Sequence, residues 1–98
     1  LERMDQFLYQ CDDTYITVCS DVFSSAFAPG VSAPQSLGLD PEIVLPLIKH
    51  VLRTRKVRGF DICEISPRFD QDNTTANLGA VIIFAVVNTL CRLNGLSI

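Results

Sequence analysis

The stretch from residue 74 to about 92 constrains this chain most. It reads as a helix that is apolar on nearly every side between Ala80 and Val87. A helix that is apolar all round must be covered all round. A free chain of 98 residues buries only roughly 60–65% of its unfolded surface. Nothing else in this one could cover such a helix fully. The sequence therefore predicts a piece of a larger domain, or a unit that packs on a partner, and its opening on Leu1 rather than Met fits a piece. The longest uninterrupted apolar run, Leu78 to Val87, stops at Asn88. A membrane span needs about 20 such residues, so the expectation is a core helix and no membrane.

Charge and cysteine usage narrow the function classes. With 8 basic and 11 acidic side chains the formal charge is −3. A nucleic-acid surface needs a basic stripe to displace counterions, so no nucleic-acid partner is expected. Arg53, Arg55, Lys56 and Arg58 form one basic cluster, read as a solvated helix end. A hydrophobic share of 48% excludes a disordered chain. The cysteines at 11, 19, 63 and 91 form no CxxC pair, and the single His50 is far from them. That excludes a zinc knuckle. Thiols inside apolar runs, with no signal peptide ahead, predict reduced cysteines and a cytoplasmic protein.

Residues 1–13 read as the tail of a helix and a polar turn. Tyr15 to Val22 reads as a strand, rich in residues that suit a pleat. An irregular stretch from Phe23 to Asp40 follows, with Pro29-Gly30, Pro34 and Gly38. Loops that long are usually functional. Asp40-Pro41-Glu42 starts a helix: Asp caps, Pro fits the first helical position, and Glu suits the positive end of the dipole. Ile43, Val44, Leu47, Ile48, Val51 and Leu52 recur at helical spacing, with a kink expected at Pro46. Val57 to Ile65 reads as a second strand, and a polar loop leads to the final helix. The order strand, helix, strand, helix predicts a parallel α/β sheet with right-handed crossovers and helices on both faces.

Ligands of parallel sheets bind beyond the carboxyl ends of the strands. Asp21 and Glu64 fall there, and if the strands pair, both face one crevice. Alternation puts Cys19 on the same face as Asp21, an oxygen donor beside a sulfur donor. Asp61, mid-strand, is read as a structural acceptor. Asp70 and Asp72 are read as capping or turn residues, and Cys63 and Cys91 as packing residues. No histidine accompanies Ser24 or Ser25, so serine-nucleophile chemistry has no support.

The run Thr17-Val-Cys-Ser-Asp21-Val-Phe-Ser-Ser-Ala-Phe-Ala-Pro29-Gly30, with Gly38 beyond it, resembles the ureohydrolase signature. That family contains the arginases, agmatinases and formimidoylglutamases. Glu64-Ile-Ser-Pro67, Asp70 and Thr75-Ala76 resemble its later block. AFAPGVSAP and the following SLGL look most like the formimidoylglutamase branch. The resemblance covers roughly residues 15–90. It implies a βαβα segment of a three-layer, arginase-like fold, with residues 1–98 as the carboxyl-terminal portion of one domain.

The resemblance also implies a binuclear Mn²⁺ centre whose activated water attacks an amidine or guanidine carbon. For the formimidoylglutamase branch, N-formimidoyl-L-glutamate would give L-glutamate and formamide, a late step of histidine degradation. Asp21 would be a manganese ligand. Cys19, standing where the family has an acid, would be a second ligand or the mark of a weakened site. Glu64 would face the cationic substrate. The partner is then a small amidine, and the full-length enzyme a homo-oligomer.

The family's upstream His and Asp-x-His-x-Asp ligands are nowhere in this sequence, so the segment alone is expected to be inactive. An agmatinase- or arginase-like substrate, or an inactive truncated module, are the alternatives.

Overall fold

The structure, a computed structural model, describes residues 1–96. In chain order it contains α1 (Glu2–Tyr9), β1 (Thr14–Cys19), α2 (Pro41–Leu52), β2 (Val57–Cys63) and α3 (Thr74–Leu93). Short 3₁₀ turns at Ser20–Val22 and Pro67–Phe69 follow the two strands. β1 and β2 pair in parallel, from Thr14 opposite Val57 to Cys19 opposite Cys63, with one irregularity between Thr14 and Tyr15.

Both strands end earlier than the sequence suggests. Apolar character continues to Val22 and Ile65, but the ladder stops at Cys19 and Cys63, where the chain turns. The long connection is also more ordered than an irregular loop. Phe23 bridges Leu39, and Ser24 bridges Gln35. Gly38 lies against the Phe23 backbone, where an added Cβ would stand 2.5 Å from the Phe23 carbonyl carbon.

α2 begins as expected, with the Asp40 carboxylate accepting from the Glu42 N–H at 2.8 Å. It runs as one helix through Pro46 to Leu52. Pro46 is exposed, which spares the helix the burial of a freed carbonyl.

Ile16, Val18, Phe60 and Ile62 face the helices. Val18, Phe23, Ala28, Ile48, Leu52, Ile82 and Val86 are the buried centre of one cluster. α2 and α3 therefore share a single face of the sheet. The opposite face carries Tyr15, Thr17 and Asp61, with the Thr17 hydroxyl donating to Asp61 at 3.3 Å. Asp61 is thus the acceptor its mid-strand position suggests. The second helical layer expected from the alternation is not supplied by these residues.

α3 is 20 residues long, with a mean hydropathy of 1.7 over its best 18-residue window. It is therefore longer than its uninterrupted apolar run, and by length and composition it could cross a membrane. Only one side of it is packed. Thr75, Gly79, Ile82, Val86 and Thr89 form a buried stripe, and Gly79 meets Ile62 and Ile65 so closely that a Cβ would stand 2.7 Å from the Ile65 side chain. Val81, Ile83, Phe84, Val87 and Leu90 remain exposed.

An open groove of about 390 Å³ lies between β1, α1 and α2, lined by Met4, Ile16, Val18, Val44, Leu47 and Ile48 among others. The Cα radius of gyration is 14.3 Å, above the roughly 13 Å of a compact 100-residue domain. Bare apolar helix, open groove and two-stranded sheet together describe a slice of a larger core.

Polar ties hold the periphery. His50 Nε2 meets Asp5 Oδ1 at 2.5 Å, Lys56 Nζ donates to the Leu8 carbonyl at 2.6 Å, and Arg58 pairs with Asp13 at 2.9 Å. Part of the basic cluster thus fastens α1 and its turn to β2. Ile82 is fully buried, so Ile82→Ala should cost the complete protein about 2–5 kcal/mol, read as a lower urea midpoint.

Candidate functional site

The register of the ladder decides where the acids go. Cys19 opposes Cys63. Asp21 lies two residues beyond one and Glu64 one residue beyond the other, so both acids stand at the carboxyl edge of the same strand pair. Asp21 is half-buried in the 3₁₀ turn, and Glu64 is exposed. The apolar groove beside β1 reaches Cys19 and Val22 but neither acid. These residues thus bring the carboxylates to a common edge without walling a pocket around them.

Glu64 has φ +67°, the left-handed region that costs a residue with a Cβ about 1–2 kcal/mol. Strained backbone persists where the surroundings fix it, often at a functional site. Nothing in the amino-acid pattern announces this conformation, because Glu is not a residue chosen for it.

Cys19 and Asp21 are brought into contact. The thiol donates to Asp21 Oδ1 at 2.7 Å. That hydrogen bond to the carboxylate, together with burial, pushes the Cys19 pKa up to about 11. At neutral pH the sulfur is therefore a protonated donor rather than a thiolate.

The long loop is stitched to this edge. Gly30 N–H donates to the buried Thr75 hydroxyl at 2.7 Å, and Ser66 N–H donates to the Gly30 carbonyl at 2.7 Å. Gly30 is needed for the approach, because a Cβ would stand 2.7 Å from Asp70 Cβ. Asp70 caps α3: Oδ1 accepts from Thr75 N–H at 2.9 Å and Oδ2 from Ala76 N–H at 3.0 Å. Partial burial works against its charge, but the Thr75, Ala76 and Gln71 N–H groups and the Thr75 hydroxyl outweigh it and hold its pKa below 3.8. Asp70 is therefore a structural cap, as its position before the helix suggests. The sequence offers no sign of the Thr75–Gly30 bond.

Asp21 suits a hard cation, since Mn²⁺ prefers oxygen donors. Cys19, whose thiol is hydrogen-bonded to Asp21, is a softer donor than Mn²⁺ prefers. Among the described residues no group of three or more His, Cys, Asp or Glu is placed to hold a metal ion. The chain offers part of a donor set, not a cage.

Comparison with known proteins explains why the edge is partial. Residues 1–88 match the arginase family, and the chain belongs to that family. It is 62% identical over 97 residues to a formimidoylglutamase of Clostridium tetani, covering 99% of this chain and 29% of that protein. Among solved structures it resembles a Bacillus subtilis formimidoylglutamase, with a TM-score of 0.86, 24% identity, and coverage of 93% of this chain and 29% of that one. It also resembles a proclavaminate amidino hydrolase from Streptomyces clavuligerus, with a TM-score of 0.75, 33% identity, and coverage of 83% and 27%. The chain thus spans less than a third of the length of the relatives it matches, and the arginase-like α/β fold it shows is incomplete.

Two measurements check this geometry. Asp70 stabilises the fold while charged, so its contribution is complete above the ordinary Asp range and lost as pH falls through its depressed pKa. The melting-temperature gap between wild type and Asp70→Asn should therefore close on acidification. Cys19 should be alkylated slowly by iodoacetamide at pH 8, with a rate that climbs toward about pH 11. Asp21→Asn should move that rise to lower pH.

Proposed function

We propose that the complete protein hydrolyses the C–N bond of a linear amidine, N-formimidoyl-L-glutamate, and that this chain is its carboxyl-terminal portion. The observation that carries the reading is that Asp21 and Glu64 both follow the last rung of one parallel strand pair, with Glu64 held in a left-handed conformation. The 62% identity to a formimidoylglutamase supports the choice of substrate.

Glu64 is the substrate-facing group. An amidinium is planar and cationic, with N–H groups on both nitrogens. A carboxylate that accepts from them makes charge-assisted hydrogen bonds and fixes the plane of the carbon to be attacked. Glu64 is exposed, so it meets the ligand without rearranging a core.

Asp21 is the chain's oxygen donor to a manganese centre whose remaining ligands lie outside these residues. Manganese, when bound, lowers the pKa of water so that hydroxide is available near neutrality. The Cys19 thiol donates to Asp21 Oδ1 at 2.7 Å. Hydrolysis adds water at the amidine carbon. The bond to the glutamate nitrogen breaks, that nitrogen leaves as the amine with a proton, and formamide is the second product. The place of this reaction in histidine degradation follows from the same substrate.

The test is turnover by the complete protein loaded with Mn²⁺. Glutamate should be released from N-formimidoyl-L-glutamate faster than agmatine or arginine is cleaved. Metal-loaded protein that turns over none of the three would overturn the reading. Glu64→Gln removes the charge but keeps the shape. It should lower kcat/KM by about 10- to 100-fold, the worth of a hydrogen bond to a charged group, while leaving the bound manganese unchanged by metal analysis.

A further inference from the structure

The last rung of the ladder is a pair of cysteines. Cys19 and Cys63 are direct partners across β1 and β2. Neighbouring strands run about 4.7–4.9 Å apart, within the Cα separation of about 4.4–6.8 Å that a disulfide spans. Side chains at paired positions of a parallel ladder point to the same face. Both are free thiols and half-buried. Cys63 lies 3.7 Å from the Val18 carbonyl, a weak contact that leaves its sulfur available. The chain turns away directly after each residue, into the 3₁₀ turn at Ser20 and into the left-handed Glu64.

We propose that Cys19 and Cys63 form a dithiol site that an oxidant of the peroxide class converts to a disulfide across the sheet edge. Cys63 sulfur attacks a peroxide oxygen, the O–O bond breaks, and Cys63 becomes a sulfenic acid with release of one water. Cys19 sulfur then attacks the Cys63 sulfur. The S–O bond breaks, and the leaving hydroxide takes the proton that Cys19 gives up as the second water. Two thiols and one hydrogen peroxide thus give one disulfide and two waters. The product withdraws the Cys19 hydrogen from Asp21 and ties the ends of β1 and β2 together.

The experiment uses the complete protein, purified reduced and treated with equimolar hydrogen peroxide. Remaining thiols are alkylated with iodoacetamide in denaturant, where the Asp21 contact that slows Cys19 is gone, and the digest is mapped by mass spectrometry without reduction. The expected result is a linked peptide joining Cys19 to Cys63, two hydrogens lighter than the sum of its parts. It should hold the majority of both residues and vanish after dithiothreitol, while Cys11 and Cys91 stay alkylated. Cys63→Ser should abolish the linked peptide, whereas Cys91→Ser should not. Treated wild-type protein with both Cys19 and Cys63 alkylated, each over-oxidised separately, or linked to Cys11 or Cys91 instead would overturn the proposal. The map reads no turnover, so its outcome stands apart from that of the activity assay.

Discussion

Parallel pairing of β1 with β2 is the constraint on which the rest depends. A right-handed crossover through α2 delivers β2 beside β1. The register then sets Cys19 against Cys63. Because both strands run the same way, everything that follows them emerges on one edge. Asp21, Glu64, the start of the long loop and the approach to α3 are neighbours for that reason alone. An antiparallel pair would have sent the two acids to opposite ends.

The edge is held by contacts among residues that do no chemistry. Gly30 is joined on one side to Ser66 and on the other to Thr75, while Asp70 holds the first turn of α3. The loop after β1, the loop after β2 and the start of α3 are thus fixed to one another by backbone N–H groups that donate to the Gly30 carbonyl, the Thr75 hydroxyl and the Asp70 carboxylate. This explains the small residue at 30: any side chain there would meet Asp70. It also explains how Glu64 keeps an unfavourable backbone angle. Its strand ends in a ladder rung on one side, and Ser66, two residues on, is bonded to Gly30.

Much of this was legible because it rests on local pattern. Asp40-Pro41-Glu42 announces α2 by capping chemistry, the spacing of Ile43 to Leu52 gives its buried face, and Asp70 reads as a cap. The alternation of elements gives parallel pairing, and pairing gives the shared edge. What escaped depends on tertiary placement. The strands stop at Cys19 and Cys63 although apolar residues continue, because turning the chain there seats Phe23 and Ile65 against the core side. The left-handed Glu64, the Thr75–Gly30 bond and the Cys19–Cys63 partnership have no signature in residue type or spacing. Cys63 in particular reads as a packing residue until the register places it opposite Cys19.

The bare surfaces and the incomplete donor set have one physical origin. The open groove beside β1 and the exposed face of α3 are apolar because they belong to the inside of a larger sheet-and-helix core. A lone carboxylate with a thiol on one oxygen cannot replace the water around a divalent cation, since Mn²⁺ prefers several oxygen ligands. On the proposed reading, the layers that would cover the groove are also the ones that would complete the donor set around Asp21. In that reading, folding of the whole domain, rather than affinity of this edge, decides when a metal can bind.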